Sequence, residues 1–208
     1  NGDFIMLGSK SRVPGPWRPE PVPDSREGDD GTVAVAARGT VAVGTNGRLT
    51  LEVVELLGKG LGTMIRRKGG TSIALGRDCR ESSTRFREVM AAGLTSTGLD
   101  VWDVGVVPTP LTYFAANTLP VDGLAMITGS HNPPEYNGFK IGAGKTTFHG
   151  PEIQQLRKLI EAGDFEKAAT PGKVSDFDII TPYNHFVQQT VKVGRKGMKI
   201  VVDAGNGT

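Results

Sequence analysis

Short apolar runs alternate along the chain with longer segments in which apolar residues recur every three or four positions. The short runs are typical of strands, and the periodic segments are typical of amphipathic helices. Strands are predicted at residues 33–43, 71–75, 100–107, 123–127 and 199–202, and helices at residues 51–65, 84–97, 111–117, 152–162 and 179–191. This alternation predicts an α/β fold, a three-layer α/β/α domain with a mixed, mainly four-stranded sheet.

The pattern divides the chain into four parts. Residues 1–32 are rich in proline and poor in apolar groups, so we expect them to be extended or disordered. Residues 33–162 form the α/β domain, residues 163–178 a linker, and residues 179–208 the first elements of a second, similar domain. Because the chain does not begin with Met and stops soon after a strand-like run, we expect it to be part of a longer protein.

Composition and charge exclude several classes of function. The net charge of +2 gives no indication of nucleic acid or a membrane surface as a partner. No apolar run approaches the roughly 18 residues that a membrane span needs. The single cysteine, Cys79, excludes an internal disulfide framework and is typical of a reducing compartment. We therefore expect a cytoplasmic protein, and we expect it to be a monomer.

The strongest candidate chemistry lies in residues 128–140, directly after the predicted strand 123–127. This run reads Thr-Gly-Ser-His-Asn-Pro-Pro-Glu-Tyr-Asn-Gly-Phe-Lys. Its two consecutive prolines fix their own φ angles, which makes the loop stiff. The loop displays a serine hydroxyl, an imidazole, an amide and a lysine. Because ligands bind at the carboxyl ends of strands in α/β sheets, we expect a functional site here.

Two chemistries are open to Ser130. A Ser–His nucleophilic pair is disfavoured, because consecutive side chains of an extended segment point to opposite sides and no Gly-x-Ser-x-Gly motif is present. Phosphoryl transfer fits better, since a phosphorylated serine needs hydrogen-bond donors and cations around it. The loop supplies backbone amides, His131, Asn132 and Lys140, and Arg38 is a candidate from elsewhere. The sequence contains no Asp-x-Asp-x-Asp cluster of the kind that could bind Mg²⁺.

Residues 128–141 resemble the phosphoserine loop of the α-D-phosphohexomutases, most of all the bacterial bifunctional phosphomannomutase/phosphoglucomutase branch. Three further patterns resemble the same family: Arg38-Gly39, Gly-Arg-Asp-x-Arg at residues 76–80, and the Pro-Thr-Pro segment within residues 104–117. The family's Tyr-Asp before the Arg-Gly pair is replaced here by Val35-Ala36. The resemblance covers residues 33–208.

The resemblance implies a mutase that interconverts hexose 1-phosphate and hexose 6-phosphate of glucose or mannose. It implies that Ser130 carries the transferred phosphoryl group and that a hexose bisphosphate is the intermediate. It also implies Mg²⁺ as cofactor, bound by one oxygen of the phosphate on Ser130, with the remaining ligands beyond residue 208. The chain by itself is therefore expected to be inactive.

The resemblance also implies roles for the other candidate residues. Lys140 and Arg38 would act as a general acid/base or polarising pair at the sugar hydroxyl, with His131 helping to orient it. The remaining residues of the phosphate loop are Thr128, Gly129 and Asn132. The implied partners are the hexose phosphate and the hexose bisphosphate.

Several alternatives stay open at this point. The protein could be a phosphoglucosamine mutase, or a non-catalytic module that binds a sugar phosphate or a partner through the same loop. From the residues alone, Lys140 could be a phosphate counter-charge and His131 a structural hydrogen-bonding group. Arg77, Asp78 and Arg80 are expected to form a structural salt-bridge and capping cluster, or Arg80 adds positive potential near the phosphate.

Overall fold

The computed structural model describes residues 5–7, 34–36, 40–42, 49–132, 136–192, 194, 197–205 and 207. The predicted site residue Arg38 lies outside the described residues, as does most of the proline-rich segment 1–32.

A mixed sheet of six strands forms the middle layer. Its strands are β1 (Ile5–Leu7), β4 (Ser72–Arg77), β5 (Asp100–Val106), β6 (Gly123–Ile127), β7 (Asn137–Ala143) and β8 (Val174–Asp176). They lie in the order β1-β7-β6-β4-β5-β8. Strand β4 pairs in parallel with β5 and β6, and β5 pairs in parallel with β8, whereas β7 is antiparallel to both β6 and β1. The two remaining strands, β2 (Ala34–Ala36) and β3 (Thr40–Ala42), form a separate antiparallel pair.

Helices cover both faces of the sheet. They are α1 (Leu51–Arg67), α2 (Glu81–Ser96), α3 (Thr109–Thr118), α4 (Gly150–Ala162) and α5 (Ile180–Thr190). Thr50 caps α1 and accepts a hydrogen bond from the backbone N–H of Val53 at 3.3 Å, so α1 begins at the predicted residue 51. In the part of the chain that the structure describes, no helix has the length and apolar content needed to cross a membrane.

Two hydrophobic cores separate the layers. The first lies between the sheet and α1, α2 and α4, and includes Leu57, Met90 and Leu156. The second lies on the opposite face under α3, where Ala115 and Ile179 are fully buried. Neighbouring positions of β4 enter different cores, because side chains alternate along a strand: Ile73 and Leu75 face the first, Ala74 the second. The predicted three-layer α/β/α domain is thereby confirmed.

The strand predictions need several corrections, and the sheet has six strands where mainly four were predicted. Strand β1 lies in the segment 1–32, which was predicted to be extended or disordered, and it pairs with β7 in the main sheet. The predicted strand 33–43 contains two short strands, which pair with each other and not with the main sheet. Strand β7 was not predicted, although it is one of the longest strands. The predicted linker 163–178 contributes β8 to the edge of the sheet. Residues 199–202 are described without strand pairing, and their side chains are exposed.

Candidate active site

An open cleft of about 520 Å³ lies at the carboxyl ends of the parallel strands. After β4 the chain continues through α2 to β5 on one side, and after β5 it crosses through α3 to β6 on the other side. Ligands of doubly wound sheets bind at such a reversal of strand order. The residues of the cleft wall that matter for the chemistry below are Asp78, Arg80, Thr128, Ser130, His131 and Lys140.

Ser130 follows β6 by three residues and has a left-handed backbone, with φ of 54°. It is the single non-glycine residue with positive φ among the described residues. The left-handed conformation costs a residue with a Cβ about 1 kcal/mol. Its N–H donates to the Oγ1 of Thr128 at 2.9 Å, and its side chain is exposed toward the cleft. A strained backbone that displays a hydroxyl in a cleft is typical of a functional position.

The conformation of Ser130 corrects the argument that separated it from His131. That argument assumed an extended backbone, in which neighbouring side chains point apart. With Ser130 in the left-handed region, its Oγ lies 3.3 Å from Nδ1 of His131, within hydrogen-bond reach. His131 is exposed, and in the described part of the chain no carboxylate contacts its ring. A serine nucleophile needs a base that a third group orients, so this pair lacks the third member of a hydrolase triad.

Lys140 reaches the cleft from β7 rather than from a loop. Its neighbours Phe139 and Ile141 are buried in the first core, and the alternation along the strand directs Lys140 to the other face of the sheet. It lies opposite Met126 of β6 in the antiparallel register. Its side chain is half-buried. The predicted lysine therefore lies on a rigid element beside the Ser130 loop.

The backbone of the loop is held by its own polar groups. The side-chain amide of Asn132 donates to the carbonyl of Gly129 at 2.9 Å, and the N–H of Asn132 reaches the same carbonyl at 3.1 Å. Thr128 is buried, and its N–H donates to the carbonyl of Gly138 in β7. The predicted residues Thr128, Gly129 and Asn132 therefore support the conformation of the loop around Ser130.

Sequence reasoning missed the contact between this loop and the segment after β4. The guanidinium of Arg80 donates to the carbonyls of Ser130 and Asn132, at 3.1 Å and 2.8 Å. Its Nε donates to Asp78 at 2.9 Å, which confirms the predicted salt bridge between these two residues. Arg77 does not join them, because it pairs with the buried Asp103 of β5. One feature of the sequence could have predicted this contact: the Gly-Arg-Asp-x-Arg pattern lies at the carboxyl end of a strand, as the Ser130 loop does.

The carboxylate of Asp78 connects the two segments. It accepts hydrogen bonds from the hydroxyl of Ser83 at 2.6 Å, from the N–H and Nε of Arg80, and from the N–H of Gly129 at 3.2 Å. Partial burial by itself raises the pKa of Asp78, but the hydrogen bonds from Ser83, Arg80 and Thr128 outweigh it. The pKa of Asp78 in the folded protein is therefore below its ordinary value of 3.8.

Asp78→Asn is expected to lower the free energy of unfolding by about 2 kcal/mol at neutral pH, because the carboxylate accepts charge-assisted hydrogen bonds. A lowered pKa in the folded state stabilises the protein fully above the ordinary pKa. That contribution is lost as the pH falls through the folded value. Urea unfolding at pH 7 and in steps below pH ~4 should therefore show wild type and variant converging in acid.

The matched control for this prediction is Glu88→Gln, which neutralises an exposed carboxylate on α2. It should leave the free energy of unfolding close to that of wild type at every pH. A difference between wild type and Asp78→Asn that stays constant down to acid pH would contradict the assignment of the effect to the Asp78 charge.

The chain is similar in sequence to several known proteins. The family described as phosphoglucomutase/phosphomannomutase, alpha/beta/alpha domain I, matches residues 34–167. The phosphoglucomutase of Neisseria meningitidis serogroup A is 42% identical over 159 residues, covering 76% of this chain and 34% of the relative. The phosphomannomutase/phosphoglucomutase of Pseudomonas aeruginosa is 41% identical with the same coverage. A probable phosphoglucosamine mutase of Thermococcus kodakarensis is 34% identical over 165 residues, covering 78% of this chain and 36% of the relative.

A solved structure is also similar. The crystal structure of a phosphoglucomutase/phosphomannomutase family protein from Burkholderia thailandensis matches with a TM-score of 0.67 and 36% identity, over 71% of this chain and 33% of that chain. The chain spans about a third of the length of the relatives named here. The matched residues 34–167 include the whole Ser130 loop and Lys140. The chain belongs to the phosphoglucomutase/phosphomannomutase family.

Proposed function

We propose that the protein containing this chain is a phosphohexomutase that interconverts hexose 1-phosphate and hexose 6-phosphate through a phosphorylated Ser130. The observation that carries the proposal is the left-handed Ser130 at the end of β6, whose hydroxyl faces a cleft that Lys140 and His131 also line. A phosphoserine brings a charge of about −1.5 to −2, and the cationic side chain of Lys140 offsets part of it.

In the proposed transfer, a sugar hydroxyl oxygen attacks the phosphorus on Ser130. The bond between phosphorus and Oγ breaks, the sugar hydroxyl gives up its proton, and Oγ takes a proton to become a free hydroxyl. The 3.3 Å contact supports His131 as the group that exchanges this proton with Oγ. The reverse sequence returns the other phosphate of the hexose bisphosphate to Ser130. Lys140 is proposed to polarise the sugar hydroxyl or to serve as its acid/base, together with Arg38.

The proposal includes Mg²⁺, and a phosphate oxygen on Ser130 is the one ligand that we assign to it in this chain. Within the described ranges, no group of three or more His, Cys, Asp or Glu residues is arranged to hold a metal ion. The carboxylate of Asp78 lines the same cleft, but its oxygens already accept hydrogen bonds from Ser83, Arg80 and Gly129. We therefore propose one ligand here, a phosphate oxygen on Ser130, and no step of the reaction is derived through the ion. We also propose that these 208 residues alone do not catalyse the interconversion.

The preferred sugar is proposed to be glucose or mannose. The supporting observation is that relatives named phosphoglucomutase and phosphomannomutase/phosphoglucomutase are 42% and 41% identical to this chain, whereas the probable phosphoglucosamine mutase is 34% identical. A glucosamine phosphate is the second candidate substrate. Turnover of the three sugar phosphates by the complete protein, compared as kcat/KM, distinguishes them.

The direct test of the proposal is the position of the phosphate. The complete protein, incubated with glucose 1,6-bisphosphate, is expected to carry one phosphate, and fragment mass spectrometry should locate it on Ser130. The control is Ser175→Ala, which removes a hydroxyl from the exposed edge strand β8 and should not change labelling. Phosphate on any residue other than Ser130 would contradict the mechanism, and binding of the sugar without phosphate transfer would favour a non-catalytic module.

A further inference from the structure

The strongest unassigned feature of the cleft is the guanidinium of Arg80. One of its nitrogens, Nη2, donates to two carbonyl oxygens of the Ser130 loop, those of Ser130 at 3.1 Å and Asn132 at 2.8 Å. Its Nε donates to the carboxylate of Asp78 at 2.9 Å. The side chain of Arg80 is 11% exposed, so these contacts are made in a largely desolvated position. Hydrogen bonds from a charged donor are the strong ones, and more so when water is excluded.

We propose that Arg80 is a positioning residue that holds Ser130 in its reactive conformation. The proposal rests on the proposed function of Ser130 as the phosphate carrier. A φ of 54° costs a residue with a Cβ about 1 kcal/mol, which contacts around it must offset, and the carbonyl of Ser130 itself is one of the two groups that Arg80 binds. Arg80 thereby fixes the backbone that brings Oγ to His131 and into the cleft.

Asp78 holds the guanidinium in place from the other side. The same carboxylate accepts the N–H of Gly129, so one carboxylate fixes both Arg80 and the loop that Arg80 binds. The absence of a side chain at Gly129 leaves room for the guanidinium, because a Cβ at this position would overlap Cζ of Arg80. The approach of the arginine to the loop backbone therefore depends on a residue without a side chain.

Arg80 also changes the electrostatics of the loop. The carbonyl oxygens of Ser130 and Asn132 both point at Nη2 of Arg80, so the negative ends of two dipoles converge beside Ser130. Without a cation there, these dipoles would repel a phosphate on the serine. Because the contacts of Arg80 to this loop are made with backbone carbonyls, its proposed role is to orient the loop.

Arg80→Ala in the complete protein is expected to lower kcat by about 100-fold, the effect of misplacing a reacting group by about 1 Å. The KM for the hexose phosphate should change little, because in this proposal Arg80 holds the loop and not the sugar. Free guanidinium ion should restore part of the kcat of Arg80→Ala, and should restore none to Ser130→Ala. The kcat of Arg80→Lys should stay below that of the wild type, because an ammonium group lacks the planar, forked donors with which arginine binds a carbonyl and a carboxylate at the same time.

The independent measurement is amide hydrogen exchange of residues 129–132, which should be faster in Arg80→Ala than in wild type. Arg85→Ala is the matched control, because it removes an exposed arginine from helix α2, which begins directly after Arg80; it should alter neither exchange nor kcat. Unchanged exchange in Arg80→Ala, or a wild-type kcat, would overturn the proposal. If the wild-type protein carries no phosphate on Ser130, the proposed function fails, but the exchange rates still decide whether Arg80 holds the loop.

Discussion

Ser130→Ala is expected to abolish the interconversion of hexose phosphates, with a loss in kcat on the order of 10⁴-fold or more. The loss is this large because, in the proposed mechanism, the hydroxyl oxygen is the atom to which the phosphoryl group is bonded. His131 and Lys140 line the same cleft, but neither lies where Ser130 Oγ lies, and so neither replaces it. The measurement is a coupled assay for glucose 6-phosphate formed from glucose 1-phosphate by the complete protein.

A second variant separates the hydroxyl from the backbone. Ser130→Gly also removes the hydroxyl, but glycine adopts the φ of 54° without steric cost. We expect Ser130→Gly to be as inactive as Ser130→Ala while it unfolds at an equal or higher temperature than the alanine variant. The control Ser175→Ala, on the exposed strand β8, should keep the wild-type kcat. Activity within a few-fold of wild type in either Ser130 variant would refute the phosphoserine mechanism.

Much of the fold could be predicted because its signals are local. Helix α1 has an N-cap at Thr50 and a periodic apolar face, and its predicted bounds 51–65 differ from the observed Leu51–Arg67 only at the end. The buried strand β6 is a continuous apolar run between turn residues, and it was predicted at its observed bounds, Gly123–Ile127. Such elements are determined by residues within a few positions of one another.

Strand β7 could not be predicted in the same way. Its sequence Asn-Gly-Phe-Lys-Ile-Gly-Ala contains two glycines and a lysine, and it begins three residues after the second proline of the loop. The strand exists because β6 lies beside it and pairs with it from Gly123–Ala143 to Ile127–Phe139. Long-range pairing therefore overrides local propensity here. The same pairing determines where Lys140 lies.

Several of the predicted site residues lie together in the cleft, but their geometry was not predicted. Ser130 and Lys140 were identified from the loop motif, and both line the cleft. The predicted position of His131 relative to Ser130 was wrong, because the positive φ angle of Ser130 changes the direction of its side chain. Arg80 and Asp78 are fifty residues away in sequence, and only the parallel pairing of β4 and β6 brings them to the loop. Such contacts follow from topology and not from a local pattern.

Lys140→Met is expected to lower kcat by about 100-fold or more while the protein stays folded. Methionine keeps an unbranched apolar side chain at the position opposite Met126, and the substitution removes the ammonium group. The change in melting temperature should stay within about 3 °C. The ammonium is the charged group that β7 presents to the cleft, so in the proposed mechanism its loss removes stabilisation of the transferring phosphoryl group.

Two further variants identify what Lys140 does. Lys145→Met, five residues along the chain in an exposed turn, is the matched control and should keep the wild-type kcat. Lys140→Arg keeps the positive charge but supplies a guanidinium that does not exchange protons at neutral pH. If Lys140 is a counter-charge for phosphate, Lys140→Arg should recover most of the activity; if it moves a proton, Lys140→Arg should be as slow as Lys140→Met. An unchanged kcat in Lys140→Met would remove Lys140 from the chemistry and leave Ser130 and His131 as the reactive groups that this chain contributes.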